Sequence, residues 1–162
     1  YWTIFKEGWG QFNSQEMYAA LKALDPTRFV DTTSGWFRCG ARDVESVHTY
    51  FQRFRYRSGK RPVVLSEFGG YVWKVEEHSF HLGKTYGYRF YPDKESFMDA
   101  LERLYREEIL PAAAQGLSGA IYTQLSDVED ETNGLLTYDR KVLKVDGQRM
   151  RAIARALSGE TE

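Results

Sequence analysis

An α/β fold with parallel strands and helical crossovers is predicted by three observations. Segments rich in β-branched and aromatic residues alternate with segments of helical periodicity. One strand, "RPVVLSEFGG", is a continuous apolar run of the kind found in a sheet covered on both faces. Turn signals separate the elements, and that rhythm favours right-handed strand-helix-strand units in one sheet.

Each element follows from its residues. Tyr1 to Phe5 is aromatic and β-branched, so it reads as a strand that ends at "KEGWG". Asn13 or Ser14 can cap the next helix, in which Met17, Leu21 and Leu24 recur at helical spacing until Asp25-Pro26 stops it. "RFVDTTSG" and "SVHTYF" are the second and third strands, with "QRFRYRSGK" as a short basic helix after them. "RPVVLSEFGG" is the fourth strand. The longest helix runs from Asp93 to about Gln115, with an apolar stripe of Phe97, Leu101, Leu104, Ile109 and Leu110 and a kink expected at Pro111. "GLSGAIYTQ" makes the fifth strand, and "DGQRMRAIARAL" is a closing amphipathic helix.

Composition bounds the function classes. The 162 residues are 42% hydrophobic and 15% aromatic, enough for a single domain, 1–162, with its own core. Lys and Arg number 22 against 23 Asp and Glu, so no summed field recruits nucleic acid or an anionic membrane, and neither is expected as a partner. One cysteine, Cys39, excludes an internal disulfide framework and fits a reducing, cytoplasmic compartment. No apolar run approaches the ~20 residues of a membrane helix. Because "YWTIF" opens like the middle of a strand, the chain is expected to be an excised piece of a longer protein.

Chemistry concentrates at strand ends. The connections 68–92 and 125–145 far exceed the usual ~2 to 6 residues, and both follow the carboxyl ends of strands, where α/β folds bind ligands. The first is rich in aromatics, which suits a sugar site or a surface insertion packed by its own rings. Glu7 in "FKEGWGQF" and Glu67 in "VLSEFGG" each end a strand ahead of glycine and an aromatic. Either alone reads as a strand-end carboxylate. As a pair they match glycosidic bond cleavage, in which one carboxylic acid protonates the leaving oxygen and the other attacks or stabilises the anomeric carbon. Retention of configuration requires the two carboxyl groups about 5 to 5.5 Å apart.

"YWTIFKEGWGQFN", "SVHTY", "RPVVLSEFGG" and "GAIYTQLSDVEDETNGLLTYDR", in this order and spacing, resemble the catalytic domain of glycoside hydrolase family two, which includes β-galactosidases and β-glucuronidases. The resemblance spans essentially the whole chain. It implies the C-terminal portion, strands four to eight, of a (β/α)8 TIM barrel. It also implies a carbohydrate substrate, a retaining mechanism, no cofactor and no catalytic metal. Carried over residue by residue, it makes Glu7 the acid/base and Glu67 the nucleophile. Lys6, Trp9, His48, Tyr50, Tyr122 and Gln124 become the substrate-binding set, with Tyr122 standing in for a more common tryptophan at the floor of the sugar site. His48 and Tyr50, two apart on a strand, share one face, and a tyrosine hydroxyl there can steady the nucleophile's charge.

Lys6 departs from the family pattern, which places asparagine directly before the acid/base. An ammonium beside Glu7 lowers a carboxylic acid's pKa, whereas a general acid needs it raised. That substitution keeps open a non-catalytic carbohydrate-binding or structural module. The acidic run Asp127, Glu129, Asp130 and Glu131 reads as a solvated face, and His78 and His81 with Glu76 and Glu77 lack a specific metal spacing. Ser66 lacks a nucleophile elbow, and Cys39 has no evident partner. A five-stranded barrel piece leaves open edges, so the isolated chain is expected to self-associate and to have little activity of its own.

Overall fold

A computed structural model describes residues 1–160. β1 (Trp2–Lys6) leads into α1 (Ser14–Leu24) and β2 (Val30–Ser34). β3 (Glu45–Thr49), β4 (Val63–Gly69) and the short β5 (Tyr71–Val72) and β6 (Arg89–Phe90) follow. α2 (Lys94–Leu104) continues through a π-helical turn, Tyr105–Ile109, into α3 (Leu110–Gln115), and β7 (Leu117–Thr123) and α4 (Gly147–Ser158) complete the order.

Every strand pair is parallel, but the strands form three narrow sheets, β1-β2, β3-β4-β7 and β5-β6. This corrects the barrel expectation. The chain is a small mixed α/β domain with sheets of two and three strands, and among the described residues no five-stranded portion of a TIM barrel is formed. The first reason is missing crossovers. Residues 35–44 and 50–62 contain neither helix nor strand, so helix and strand do not alternate through the first four strands. The expected helix "QRFRYRSGK" fails because arginine and aromatic residues alternate there with a period of two, which gives no helical stripe. The second reason is polar. Between β2 and β3 there is no ladder; the Ser46 hydroxyl instead donates to Asp31 Oδ1 at 2.9 Å, and the Gly35 amide donates to Ser46 Oγ at 3.3 Å. Such buried polar groups need partners, and side-chain bonds satisfy them here.

Other expectations shift less. The long helix is broken at the π-helical turn, while Pro111 sits in the first turn of α3, where a missing N–H is tolerated. The Glu107 carbonyl, which Pro111 cannot bond, accepts from the Arg53 guanidinium at 2.8 Å. The aromatic connection 68–92 is structured by β5 and β6 and a 3₁₀ turn at Glu76–His78. α1 follows Asn13, whose side chain makes no capping bond. α2 and α4 are capped instead by Asp93 and Asp146, which accept from backbone amides of their first turns.

The core lies between β4 and the helices. Leu65 and Phe68 of β4 pack with Phe97, Met98 and Leu101 of α2, with Ile109 of the π-helical turn, with Val145 ahead of α4 and with Ile153 of α4. All are essentially excluded from water, and each large apolar side chain contributes about 1.5–3 kcal/mol. Arg149 ties α4 to α2 through Glu95, Asp99 and Glu102. The connection 125–145 is pinned by the buried pair of Lys144 Nζ and Asp127 Oδ1 at 2.9 Å. Among the described residues no helix is long and apolar enough to cross a membrane, and β1, β2, β3 and β7 each pair on one side only. What this packing positions is the carboxyl ends of β1, β3 and β4.

Candidate active site

Glu7 follows the last residue of β1 with a left-handed φ of 57°, and its amide donates to the Ser34 carbonyl at 2.6 Å. Gly8 continues the turn at φ 80°, where a Cβ would collide with the Phe37 ring. The chain thereby turns Glu7 toward β3. On β3 the alternating side chains Ser46 and His48 are buried. A register shift between Val47 and His48 sets His48 opposite Glu67 of β4, where an unbroken register would have set it opposite Ser66. Irregularities of this kind re-aim a side chain, and here the shift brings imidazole and carboxylate together.

His48 Nδ1 lies 2.9 Å from Glu7 Oε1 and 3.4 Å from Glu67 Oε2. One oxygen of each carboxylate and one ring nitrogen of His48 all fall within 4.8 Å of one another. The imidazole is sealed, with 1% of its side chain exposed, whereas Glu7 and Glu67 keep 16% and 18%. The ring's other nitrogen lies 3.2 Å from the Ser34 hydroxyl, which donates to Ser66 Oγ at 3.0 Å. With its hydrogen directed at Ser66, Ser34 accepts from Nε2–H. A hydrogen must then stand between Nδ1 and Glu7, carried by one or the other, since two bare acceptors at that distance would repel.

Both oxygens of Glu67 are engaged. Tyr50 donates its hydroxyl to Oε2 and lies 3.0 Å from the Thr123 hydroxyl. Burial first, and then the bond to Glu67, push the Tyr50 phenol far above its ordinary range, so it stays a donor. Lys6 Nζ stands 3.1 Å from Glu67 Oε1. Partial burial works to lower the Lys6 pKa, but the bond to Glu67 and the charges of Glu67, Glu7 and Glu131 outweigh it and raise it. Lys6 thus reaches the expected nucleophile directly, while its charge also acts on Glu7 beside it. Glu7, His48 and Glu67 are the one group among the described residues with donors close enough for a metal ion, and Lys6 already supplies a cation on Glu67.

Known protein families and curated proteins were compared with this chain, and none matches it. The functional reading therefore stands on residues and geometry.

The remaining predicted residues are placed differently. Trp9 is 70% exposed and packs edge-on to Phe37, 6.2 Å between ring centres. Tyr122 serves the core: its ring packs on Phe68 and over Gly69, and its hydroxyl accepts from the Tyr71 amide at 3.3 Å. Its phenol, buried first of all, is pushed far above the ordinary range. Gln124 donates to Glu131 Oε2 at 2.9 Å and Asn133 Oδ1 at 2.8 Å, so it braces the connection after β7. His78 pairs with Asp139 at 2.8 Å, and His81 accepts from the Gly83 amide, which takes both away from a metal patch.

Ser34, Thr123 and Tyr88 were missed, and Ser66 was weighed only as a nucleophile. Tyr88, from the aromatic connection, stacks on Tyr50 with centroids 3.8 Å apart and rings within 7° of parallel. The available signal was Ser66 directly before Glu67 and Ser34 at the end of a strand, both polar at positions that read as buried. Together these groups make a partly exposed carboxylate pair joined by a buried imidazole, with a fixed phenol on one member. Such a pair can share one proton and present one nucleophilic oxygen to an electrophilic carbon.

Proposed function

We propose that this chain carries the catalytic pair of a retaining glycoside hydrolase, similar to β-galactosidases and β-glucuronidases, that cleaves O-glycosidic bonds by double displacement. The single observation that carries the reading is the spacing: oxygens of Glu7 and Glu67 lie within 4.8 Å of each other, on the scale of the about 5–5.5 Å that separates the carboxyl groups of retaining enzymes. An inverting enzyme leaves about 6.5–9.5 Å for a water. Glu67 attacks the anomeric carbon, and the bond to the leaving oxygen breaks as Glu7 gives that oxygen a proton. Water then attacks the glycosyl ester while Glu7 takes a proton back, which releases the sugar and restores Glu67. Tyr50 holds the attacking carboxylate in place, and His48 keeps Glu7 within reach of it.

The test uses dinitrophenyl 2-deoxy-2-fluoro-β-glycosides. Their leaving group needs no acid, so the wild-type chain is expected to gain one sugar mass on the peptide containing Glu67, and Glu67→Gln to gain none. Absence of label on folded protein across galactoside and glucuronide reagents overturns the reading. One observation favours a second reading. Lys6 occupies Glu67 Oε1, which suits a non-catalytic carbohydrate-binding module; retained sugar affinity without labelling identifies that case.

A further inference from the structure

The other face of β3 borders a second charged feature. Glu45, Val47 and Thr49 alternate with Ser46 and His48, and together with His48 they line a groove of about 990 Å³ between β3 and the irregular segment 52–61. Its walls carry seven Lys and Arg side chains and a single carboxylate, Glu45. Arg42, Arg61 and Arg38 converge on that carboxylate at 2.9, 3.3 and 3.5 Å, so one negative charge is shared among three guanidiniums. Arg55, Arg57 and Lys60 have no carboxylate within 4 Å among the described residues. In a chain with net charge -1 this wall is an isolated excess of cations.

The segment's alternation produces the row. Phe54 packs against the core and Tyr56 lies against Gly116, while Arg53, Arg55 and Arg57 between and beside them are exposed. Anchored aromatics thus place the Cα atoms of successive arginines no more than about 7 Å apart. A row of cations suits a linear polyanion better than a single small anion, because each charge gains from its neighbours. The aromatics of the row face inward, which removes the stacking platforms that single-stranded nucleic acid uses. Phe51, the exposed ring nearby, sits edge-on to Tyr88, the ring stacked on Tyr50. The groove also reaches Thr49 and Gln52, on either side of Tyr50 in sequence.

We propose that this groove binds a sulfated polysaccharide. The choice of a polysaccharide rests on the glycosidase reading of the neighbouring site, whereas the choice of sulfate rests on charge. Sulfate esters stay ionised at every pH, offer several oxygens to forked guanidinium donors, and reach a charge density that matches so many cations against one carboxylate.

The experiment is fluorescence anisotropy of a labelled heparin octasaccharide on the full chain at physiological salt. Saturable binding is expected. Arg55→Glu with Arg57→Glu and Lys60→Glu should weaken it about 10- to 100-fold, as three charge contacts are reversed. Arg151→Glu with Arg155→Glu, on exposed positions of α4, should change it less than about 3-fold; circular dichroism checks both folds. Neutral dextran should not compete, and polygalacturonate should compete more weakly than heparin. Equal loss with the α4 variant, equal competition by polygalacturonate, or tighter binding of single-stranded RNA overturns the proposal. Glu67→Gln should bind heparin unchanged, and the triple groove variant should still be labelled at Glu67, so failure at one site is separable from failure at the other.

Discussion

Lys144→Met removes a cation that the fold has sealed from water. Both members of the Lys144–Asp127 pair are 0% exposed in their side chains, and Lys144 Nζ also donates to the Thr132 carbonyl at 2.9 Å. Asp127 Oδ1 accepts in addition from the Gly134 amide at 2.8 Å, while Oδ2 is buried without a partner. Removing one member of a buried pair leaves an uncompensated charge and costs about 3–5 kcal/mol. In a domain of this size each kcal/mol is worth about 2–4 °C, so Tm should fall about 6–20 °C. Asp127→Asn added to Lys144→Met should recover most of the loss, because the amide oxygen still accepts from Gly134 and the stranded charge is gone.

The pH dependence follows from burial. Desolvation first of all raises Asp127 above the ordinary carboxylate range even with Lys144 beside it. An acid whose folded pKa is raised loses stability as pH climbs from its unfolded value toward the folded one. Without the lysine that folded value rises further, so the deficit of Lys144→Met should be full at neutral pH and shrink on acidification. Urea unfolding across that range measures it. A loss below about 1 kcal/mol at pH 7, or a double variant no more stable than the single, refutes the reasoning.

Lys6→Asn removes an ammonium that is 65% exposed, so Glu67 gives up a contact of only about 0.2–1 kcal/mol. Freeing Oε1 should speed 2-fluoro glycoside labelling about 1.4- to 5-fold, read by intact mass, and slower labelling would mean that the ammonium helps the attack. Because the Lys6 pKa is raised, its pairing persists through neutral pH and is lost only as pH rises through the folded value. Gly69→Ala imposes a Cβ at φ 86° and against the Tyr122 ring, combining backbone strain with overpacking. A loss of about 2–4 kcal/mol is expected in urea unfolding, and a neutral result would show that Tyr122 moves aside freely.

Much of this was legible in the residues, for local reasons. β4 and the apolar stripe of α2 are written in continuous hydrophobicity and helical spacing, and both occur where expected. Glu7, Glu67, His48 and Tyr50 meet because each sits at a strand end or on one strand face, positions that periodicity specifies. The sheet was misread because its breaks depend on pairing, which no single segment encodes. Asp31, Ser46 and Asp43 hold β2 near β3 through side chains, so proximity occurs without a ladder. The His48–Glu67 register depends on an irregularity that a period of two cannot anticipate. The family resemblance implied a sugar-site role for Tyr122, yet Gly69 opposite leaves room for its ring, and it packs with the core.

The central claim is that Glu67 is a nucleophile held within 4.8 Å of Glu7. Mass spectrometry of the chain after exposure to a dinitrophenyl 2-deoxy-2-fluoro-β-glycoside tests it most directly. One covalent sugar located on Glu67, absent in Glu67→Gln, is the predicted result. A folded chain that stays unlabelled, or a label on another residue, contradicts it.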